Sequence, residues 1–181
     1  MKVIEQEIHS LKNSISEMWA LVHQQLYNAG EAMLTGDKEL AYKVISRERR
    51  VNAFELKIDS DCEDIIALYA PVAIDLRFVL AMYKINTNLE RLGDFADSIA
   101  RFAGNLPEGE PIDPQLVKET RVEEMLSELL SMISLTKEAF EKESSEIASR
   151  IFLKDNLIDE INHNSTAIIA KYIEEHKGSA L

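Results

Sequence analysis

The sequence has few residues that turn or crosslink a chain. Six glycines and four prolines, ten of 181 residues, are roughly half the usual share, which argues against turn-rich sandwiches and barrels. The single cysteine, Cys62, has no second cysteine for an internal disulfide and is expected to be a packed small residue. No apolar run approaches the ~18–20 residues of a membrane span, and charges interrupt the N-terminus too often for a signal peptide. A cytoplasmic protein is expected.

Positive charge is also scarce. The chain has 20 lysines and arginines against 32 aspartates and glutamates, a formal net charge of −12. Nucleic acid and anionic lipid surfaces both attract basic proteins, so this balance argues against either as a direct partner. It favours cationic partners or metal ions, and any contact with a membrane is expected to be peripheral, through protein partners.

The first hundred residues have the apolar spacing of long helices. Gly36 and Asp37 are typical of a helix end followed by the cap of the next helix. The second helix is predicted to run to about Tyr69, and the third from Pro71 to about Ala103. Together they predict an up-down-up three-helix bundle. The stripe of the first helix comprises Leu11, Ile15, Met18, Val22 and Leu26.

The rest of the chain repeats this pattern. An offset of 107 residues pairs Glu48 with Asp155 and Val51 with Ile158, which indicates a duplication. The predicted fold is all-α: a first three-helix bundle over 1–104, a proline-rich linker over 105–114, and an incomplete second bundle of two helices over 115–181. The repeat of the third helix would begin only at residue 178, so the chain is expected to be either naturally short or cut.

The two predicted helices of the second half cannot cover both of their apolar stripes. Soluble proteins rarely leave such faces in water. We therefore expect a homodimer in which two hairpins form a four-helix bundle; the alternative is that the hairpin folds back on the first bundle. The stripes comprise Val122, Met125, Leu126, Leu129, Ile133 and Phe140 on the fourth helix, and Ile147, Ile151, Ile158, Ile161, Ile168 and Tyr172 on the fifth.

An acidic stripe on the third helix is the first candidate site. Asn86, Glu90, Asp94 and Asp97 lie within about 80° of arc on one helix, on the side away from its apolar face. Like charges one turn apart repel one another, and a bound cation would reverse that cost. We predict metal binding by Glu90 and Asp94, with Asn86 and Asp97 as supporting or alternate ligands. Donors from across the groove are expected from the second helix, namely Glu48 and Glu55, with Asn52 between them.

A related stripe, Asp155, Asp159 and His163, lies on the fifth predicted helix. Oxygen ligands suit magnesium, manganese or ferric iron, and a histidine extends the range to zinc or ferrous iron. Two other interpretations remain open. The acidic faces could be solvated surfaces of a structural adaptor, or Glu160 and His163 could form one arm of a carboxylate-bridged iron oxidase, although that site needs a second such pair.

The segment from Pro71 to Arg101, with PVAIDLR followed by NTNLERLGDFADSIAR, resembles the PhoU family of phosphate-uptake regulators. The resemblance implies two tandem three-helix bundles and multinuclear iron or zinc clusters on Glu/Asp-x-x-x-Asp motifs, here Glu90 with Asp94 and Asp155 with Asp159. It also implies a non-enzymatic cytoplasmic adaptor that restrains phosphate uptake and phosphate-starvation signalling. Its partners would be the ATPase of the phosphate transporter and a membrane sensor kinase. Related domains are attached to sodium-phosphate transporters.

Overall fold

A computed structural model describes residues 3–107 and 111–176, which form helices and contain no strand. The prediction of an all-α fold is confirmed. The helices are α1 (Val3–Thr35), α2 (Lys38–Tyr69), α3 (Ala73–Asn105), α4 (Pro114–Thr120), α5 (Val122–Glu141) and α6 (Ser145–Glu175). None of them is long and apolar enough to cross a membrane.

The first three helices begin and end close to the predicted positions. Gly36 has a φ of 71°, which suits a residue without a side chain, and Asp37 caps α2 by accepting a hydrogen bond from the Leu40 amide at 2.9 Å. The end of α2 at Tyr69 is as predicted. The third helix begins two residues later than predicted, because Pro71 belongs to the connection and Val72 is the N-cap.

The core of the molecule lies between α1, α2 and α3. The antiparallel register of α1 and α2 is fixed by the Gln25 side chain, which donates to the Val44 carbonyl at 2.8 Å. The predicted α1 stripe is buried in full. Cys62 is buried as expected, and burial raises the pKa of its thiol to about 12, so it is a poor nucleophile.

The second half departs from the prediction of a single fourth helix. Arg121 adopts a left-handed conformation with a φ of 54°, and this residue separates α4 from α5. The described second half therefore has three helices where two were predicted. The break is stabilised by the Arg121 side chain, which donates to Glu124 at 2.7 Å and to Glu160 on α6 at 2.9 Å.

The α5–α6 hairpin rests on the first bundle through α1. The rings of Trp19 and Phe140 stack at 5.7 Å, and the Trp19 indole N–H donates to the Ile133 carbonyl at 3.2 Å. At the hairpin turn, Lys12 pairs with Glu143 at 2.8 Å. These contacts correspond to the alternative in which the hairpin folds back.

That packing covers the two apolar stripes of the second half only in part. Of the twelve stripe residues, Ile161 is fully buried, Leu129 is exposed, and the other ten are half-buried. The contact with α1 therefore leaves apolar surface on the hairpin, and the expected homodimer stays a prediction.

Candidate functional site

The acidic stripe of α3 faces α2, and the two helices form an acidic groove. We define this groove by Glu48, Asn52, Glu55 and Asp59 on α2 with Asn86, Glu90, Asp94 and Asp97 on α3. The carboxylates of this stripe were expected to point away from the core on an open face; Asp94 is exposed, whereas Glu90 and Asp97 are half-buried. Asn86 is 0% exposed because it lies against α2, and the Asp97 side chain is only 14% exposed.

Asn86 joins the two helices at one end of the groove. Its side-chain amide donates to the Glu55 carbonyl at 2.9 Å and to the Asp59 carboxylate at 2.7 Å. Its own Oδ1 is buried and has no hydrogen-bond partner among the described residues. Sequence reasoning missed Asp59, although its position one turn after Glu55 could have indicated it.

Asn52 and Asp97 each have a buried side-chain oxygen that resembles Oδ1 of Asn86. Asn52 donates to the Glu48 carboxylate, and Asp97 accepts from the Arg101 guanidinium at 2.6 Å. The Oδ1 atoms of Asn52 and Asp97 are buried, and neither has a hydrogen-bond donor in residues 3–107 or 111–176. Buried acceptors without a partner are rare and costly. Of the four such oxygens among the described residues, three lie along this groove and the fourth, Gln25 Oε1, lies between α1 and α2; the three together favour a face suited to donors or cations.

Glu90 lies in the middle of this face, next to other negative charges. Its pKa is raised above the ordinary value, first by partial burial and then by the carboxylates of Asp94 and Glu55, with Arg91 acting weakly in the opposite direction. Negative charges close to Glu90 disfavour its ionised form. A cation bound among these carboxylates would lower the pKa again.

Gly93 allows the two helices to approach at the centre of the groove. A Cβ atom at this position would lie 2.8 Å from Cγ1 of Val51 on α2, closer than side-chain atoms normally approach. From the sequence, Gly93 was interpreted only as part of the segment that resembles a known family. Its packing role explains why groups on both helices reach the same groove.

The donor chemistry of the groove fits a hard cation, because it consists of carboxylate and amide oxygens. Among residues 3–107 and 111–176, however, no three histidine, cysteine, aspartate or glutamate side chains already form a group that could hold a metal ion. Binding would therefore have to draw carboxylates together. The three unpartnered oxygens and the raised pKa of Glu90 are the observations that favour it.

The second predicted stripe has a different environment. Asp155, Asp159 and His163 are all exposed on α6, and in the part of the chain that the structure describes they do not belong to a ready group of three metal-ligating side chains. Glu160, the other half of the possible iron-oxidase arm, pairs with Arg121 at 2.9 Å. The structure thus places this stripe along one helix instead of between two.

A mostly apolar cavity of about 720 Å³ lies where α4, α5 and α6 meet the ends of α1 and α3. Asp113 in its lining accepts a hydrogen bond from the Tyr172 hydroxyl at 2.8 Å, and the described lining residues include no lysine or arginine. Phosphate sites in proteins commonly supply positive charge or free N–H donors, whereas most of this lining is apolar. The apolar lining includes Met33, Phe102, Met125 and Ile169.

Comparison with known proteins gives consistent results. A family model described as the PhoU domain matches residues 15–103. A phosphate-specific transport system accessory protein, the PhoU homolog of Aquifex aeolicus (strain VF5), is 33% identical over 171 residues, which are 93% of this chain and 75% of that protein.

Two solved structures are also similar. The crystal structure of PhoU from Pseudomonas aeruginosa has a TM-score of 0.84 at 26% identity, over 96% of this chain and 81% of that one. That of the phosphate transport system regulatory protein PhoU from Streptococcus pneumoniae has a TM-score of 0.83 at 28% identity, over 96% and 80%.

Proposed function

This chain belongs to the PhoU family, and on that basis we propose that it is a non-enzymatic, cytoplasmic regulator of phosphate transport and phosphate-starvation signalling. The names of its relatives, an accessory protein and a regulatory protein of phosphate transport systems, support this role. We further propose the transporter ATPase and a membrane sensor kinase as its partners. No step of chemistry on phosphate is needed for such a role.

Deletion of the gene in its bacterial host tests the regulator. The expected result is that alkaline phosphatase, a marker of phosphate starvation, becomes expressed in phosphate-rich medium. A plasmid copy of the full chain should restore repression. Unchanged repression in the deletion strain would contradict the regulatory role.

We also propose that the acidic groove binds metal ions, with Glu90 and Asp94 as ligands and Glu48, Glu55, Asn86 and Asp97 around them. The three buried oxygens without donors carry this proposal, since a cation would satisfy them. The groove spans from Asn86 to Asp97, which at ~1.5 Å per residue is roughly 16 Å of helix. That length has room for more than one ion, so a multinuclear iron or zinc cluster fits as well as single magnesium or manganese ions.

Metal analysis of protein purified without chelator tests the groove. Glu90→Gln with Asp94→Asn keeps the shapes but removes two charges, and metal content should fall by at least half. The matched control, Glu63→Gln with Asp64→Asn, removes two exposed charges at the end of α2 and should leave it unchanged. A further fall with Asp155→Asn and Asp159→Asn would add the stripe on α6 to the site.

One observation favours a second candidate, a structural helical adaptor with solvated acidic faces: the described carboxylates do not form a ready metal group. The same analysis separates the two. Wild-type protein without stoichiometric metal supports the adaptor. A carboxylate-bridged oxidase would in addition consume ferrous iron with oxygen uptake.

The homodimer is proposed on the uncovered face of the hairpin. Leu129 on α5 is exposed, and Leu153 lies on α6 close to where Lys154 pairs with Glu128 at 2.8 Å. Leu129→Asp with Leu153→Asp should therefore abolish a dimer without unfolding the hairpin. Ile161, by contrast, is buried within one chain and is unsuitable for this test. A wild-type sedimentation mass of 20.5 kDa at tens of micromolar would exclude the dimer.

A further inference from the structure

The end of the first bundle where α2 passes into α3 exposes a cluster of large apolar side chains. Leu68, Val72 and Ile74 are 72%, 74% and 79% exposed, far more than apolar residues of the bundle core. We call this cluster the apex. Its members are Val3, Ile66, Leu68, Tyr69, Val72 and Ile74.

Antiparallel packing brings these residues to one end of the molecule. Lys57 on α2 donates to Ser14 on α1 at 3.1 Å, and Cys62 on α2 lies 3.8 Å from the Val79 carbonyl on α3. These contacts fix the register of the three helices. The start of α1, the end of α2 and the start of α3 therefore lie at the same end of the bundle. The apex is therefore formed by three helices and is not a single loop.

The connection between α2 and α3 has a defined shape that presents Val72 outward. Ala70 and Ala73 both have positive φ, 43° and 49°, a conformation that alanine disfavours. Pro71 between them is buried, whereas Val72 is exposed. Such local strain persists only where the surrounding structure enforces it, so the exposed position of Val72 is built into the fold.

Negative charges surround the apex. The segments 3–10 and 60–80 contain six carboxylates and one arginine, Arg77, a net charge of −5 with His9 neutral. Five of the six acidic residues are exposed, and Asp61, which is half-buried, pairs with Lys57 at 2.5 Å. The six are Glu5, Glu7, Asp61, Glu63, Asp64 and Asp75.

We propose that the apex is a docking surface for a cationic amphipathic segment of a partner protein, in which apolar side chains are flanked by lysine or arginine. The apolar cluster supplies the buried centre of such an interface and the carboxylates supply its rim. An anionic lipid surface would be repelled by the same carboxylates. A second copy would place two acidic rims against each other. The inference goes beyond the regulatory role and does not depend on metal binding in the groove.

Binding of designed peptides to the full-length chain tests this surface. The probe is a fluorescein-labelled amphipathic helix of leucine and lysine, about 18 residues long, and the comparison peptide has glutamate in place of lysine. Fluorescence anisotropy measures the affinity of each. The apex variant is Val72→Ser with Ile74→Ser. Its matched control is Leu56→Ser on α2 with Phe95→Ser on α3, two residues that lie away from the apex and are 69% and 55% exposed.

The lysine peptide should bind the wild type. Its affinity should fall about tenfold for the apex variant and by no more than about twofold for the control variant. The glutamate peptide should not bind. Glu63→Lys with Asp64→Lys should weaken the lysine peptide too, and added salt should reduce its affinity. Circular dichroism verifies that each variant is folded, which their exposed positions favour.

Four results would overturn the proposal. These are no binding of the lysine peptide, equal losses for the apex variant and its control, equal binding of the glutamate peptide, and unchanged binding by the charge-reversed variant. Co-sedimentation with phosphatidylserine vesicles through Val72 and Ile74 would assign the apex to lipid instead. Self-association that the apex variant abolishes would assign it to a second copy.

Discussion

The two halves of this protein carry similar sequence patterns in different surroundings. In the first half the apolar stripes of α1, α2 and α3 meet in one closed core. In the second half, matching stripes on α5 and α6 are mostly half-buried, with Ile161 as the fully buried member. An amphipathic pattern therefore specifies a helix and its inner face, whereas the neighbouring helices determine how far that face is buried.

The acidic residues show the same contrast. Glu48 and Asn52 lie on α2 beside α3, where Oδ1 atoms on both helices have no hydrogen-bond donor in the described part of the chain. Their repeat partners, Asp155 and Asp159, lie on the surface of one helix. Convergence from two helices is what distinguishes a candidate site from a solvated stripe.

The largest expected effect compares the two cores with the same substitution. Ile58→Ala removes a fully buried side chain from the first bundle and should lower the free energy of unfolding by about 2–5 kcal/mol. Ile158→Ala removes a half-buried side chain and should cost only about 1 kcal/mol. Urea denaturation followed by circular dichroism measures both. Equal losses would mean that the second half is packed as tightly as the first.

Metal binding should separate the two acidic stripes. If the groove binds a metal ion, a metal concentration one hundred times the dissociation constant should raise the free energy of unfolding of the wild type by about 2.7 kcal/mol. Thermal unfolding with and without chelator measures this difference. Glu90→Gln with Asp94→Asn should abolish it, while Asp155→Asn with Asp159→Asn should keep most of it. If the α6 variant lost the stabilisation by metal and the α3 variant kept it, the principal metal site would be on α6.

The contact between the halves is expected to be weaker than either core. Trp19→Phe removes the hydrogen bond to the Ile133 carbonyl and part of a buried ring, and should cost about 2 kcal/mol. Because this bond ties α5 to α1, amide hydrogen exchange should accelerate in α5 and stay unchanged in α2. Equal acceleration in both helices would indicate that the halves open as one unit.

Sequence reasoning predicted the elements whose ends have local signals. Gly36 and Asp37 mark the α1–α2 turn, and Pro71 marks the next connection to within two residues. The break at Arg121 has no such signal, since arginine is neither a helix breaker nor a usual left-handed residue. It depends on contacts with Glu124 and Glu160, and the latter lies 39 positions away.

The sequence indicated the acidic and amide residues of the candidate site, but not that Asn86 and Asp97 are shielded from solvent. Helical spacing placed Asn86, Glu90, Asp94 and Asp97 on one stripe, and an outward direction was inferred because the apolar stripe lies elsewhere. A helix in a bundle has two neighbours, so a polar stripe at the edge of the apolar face can face the second one. Gly93 was the available signal, because a small residue in mid-helix allows a neighbouring helix to approach closely.

The smallest expected effect concerns the pH dependence of the second half. The pKa of Asp113 is lowered from its ordinary value of 3.8, first by the hydrogen bond from the Gln115 amide and then by that from the Tyr172 hydroxyl. A carboxyl group whose pKa is lowered by folding stabilises the protein above its unfolded pKa, and that contribution is lost as the pH falls through the folded pKa. Tyr172→Phe removes one of the two donors. The mutant should therefore melt below the wild type at neutral pH, and the gap should narrow as the pH falls below 3.8. Thermal unfolding across this range measures the gap, with Tyr83→Phe, an exposed tyrosine on α3, as the matched control. A gap independent of pH would show that Tyr172 stabilises α6 by packing, through its stacking with His176 at 4.1 Å, and not through the Asp113 carboxylate.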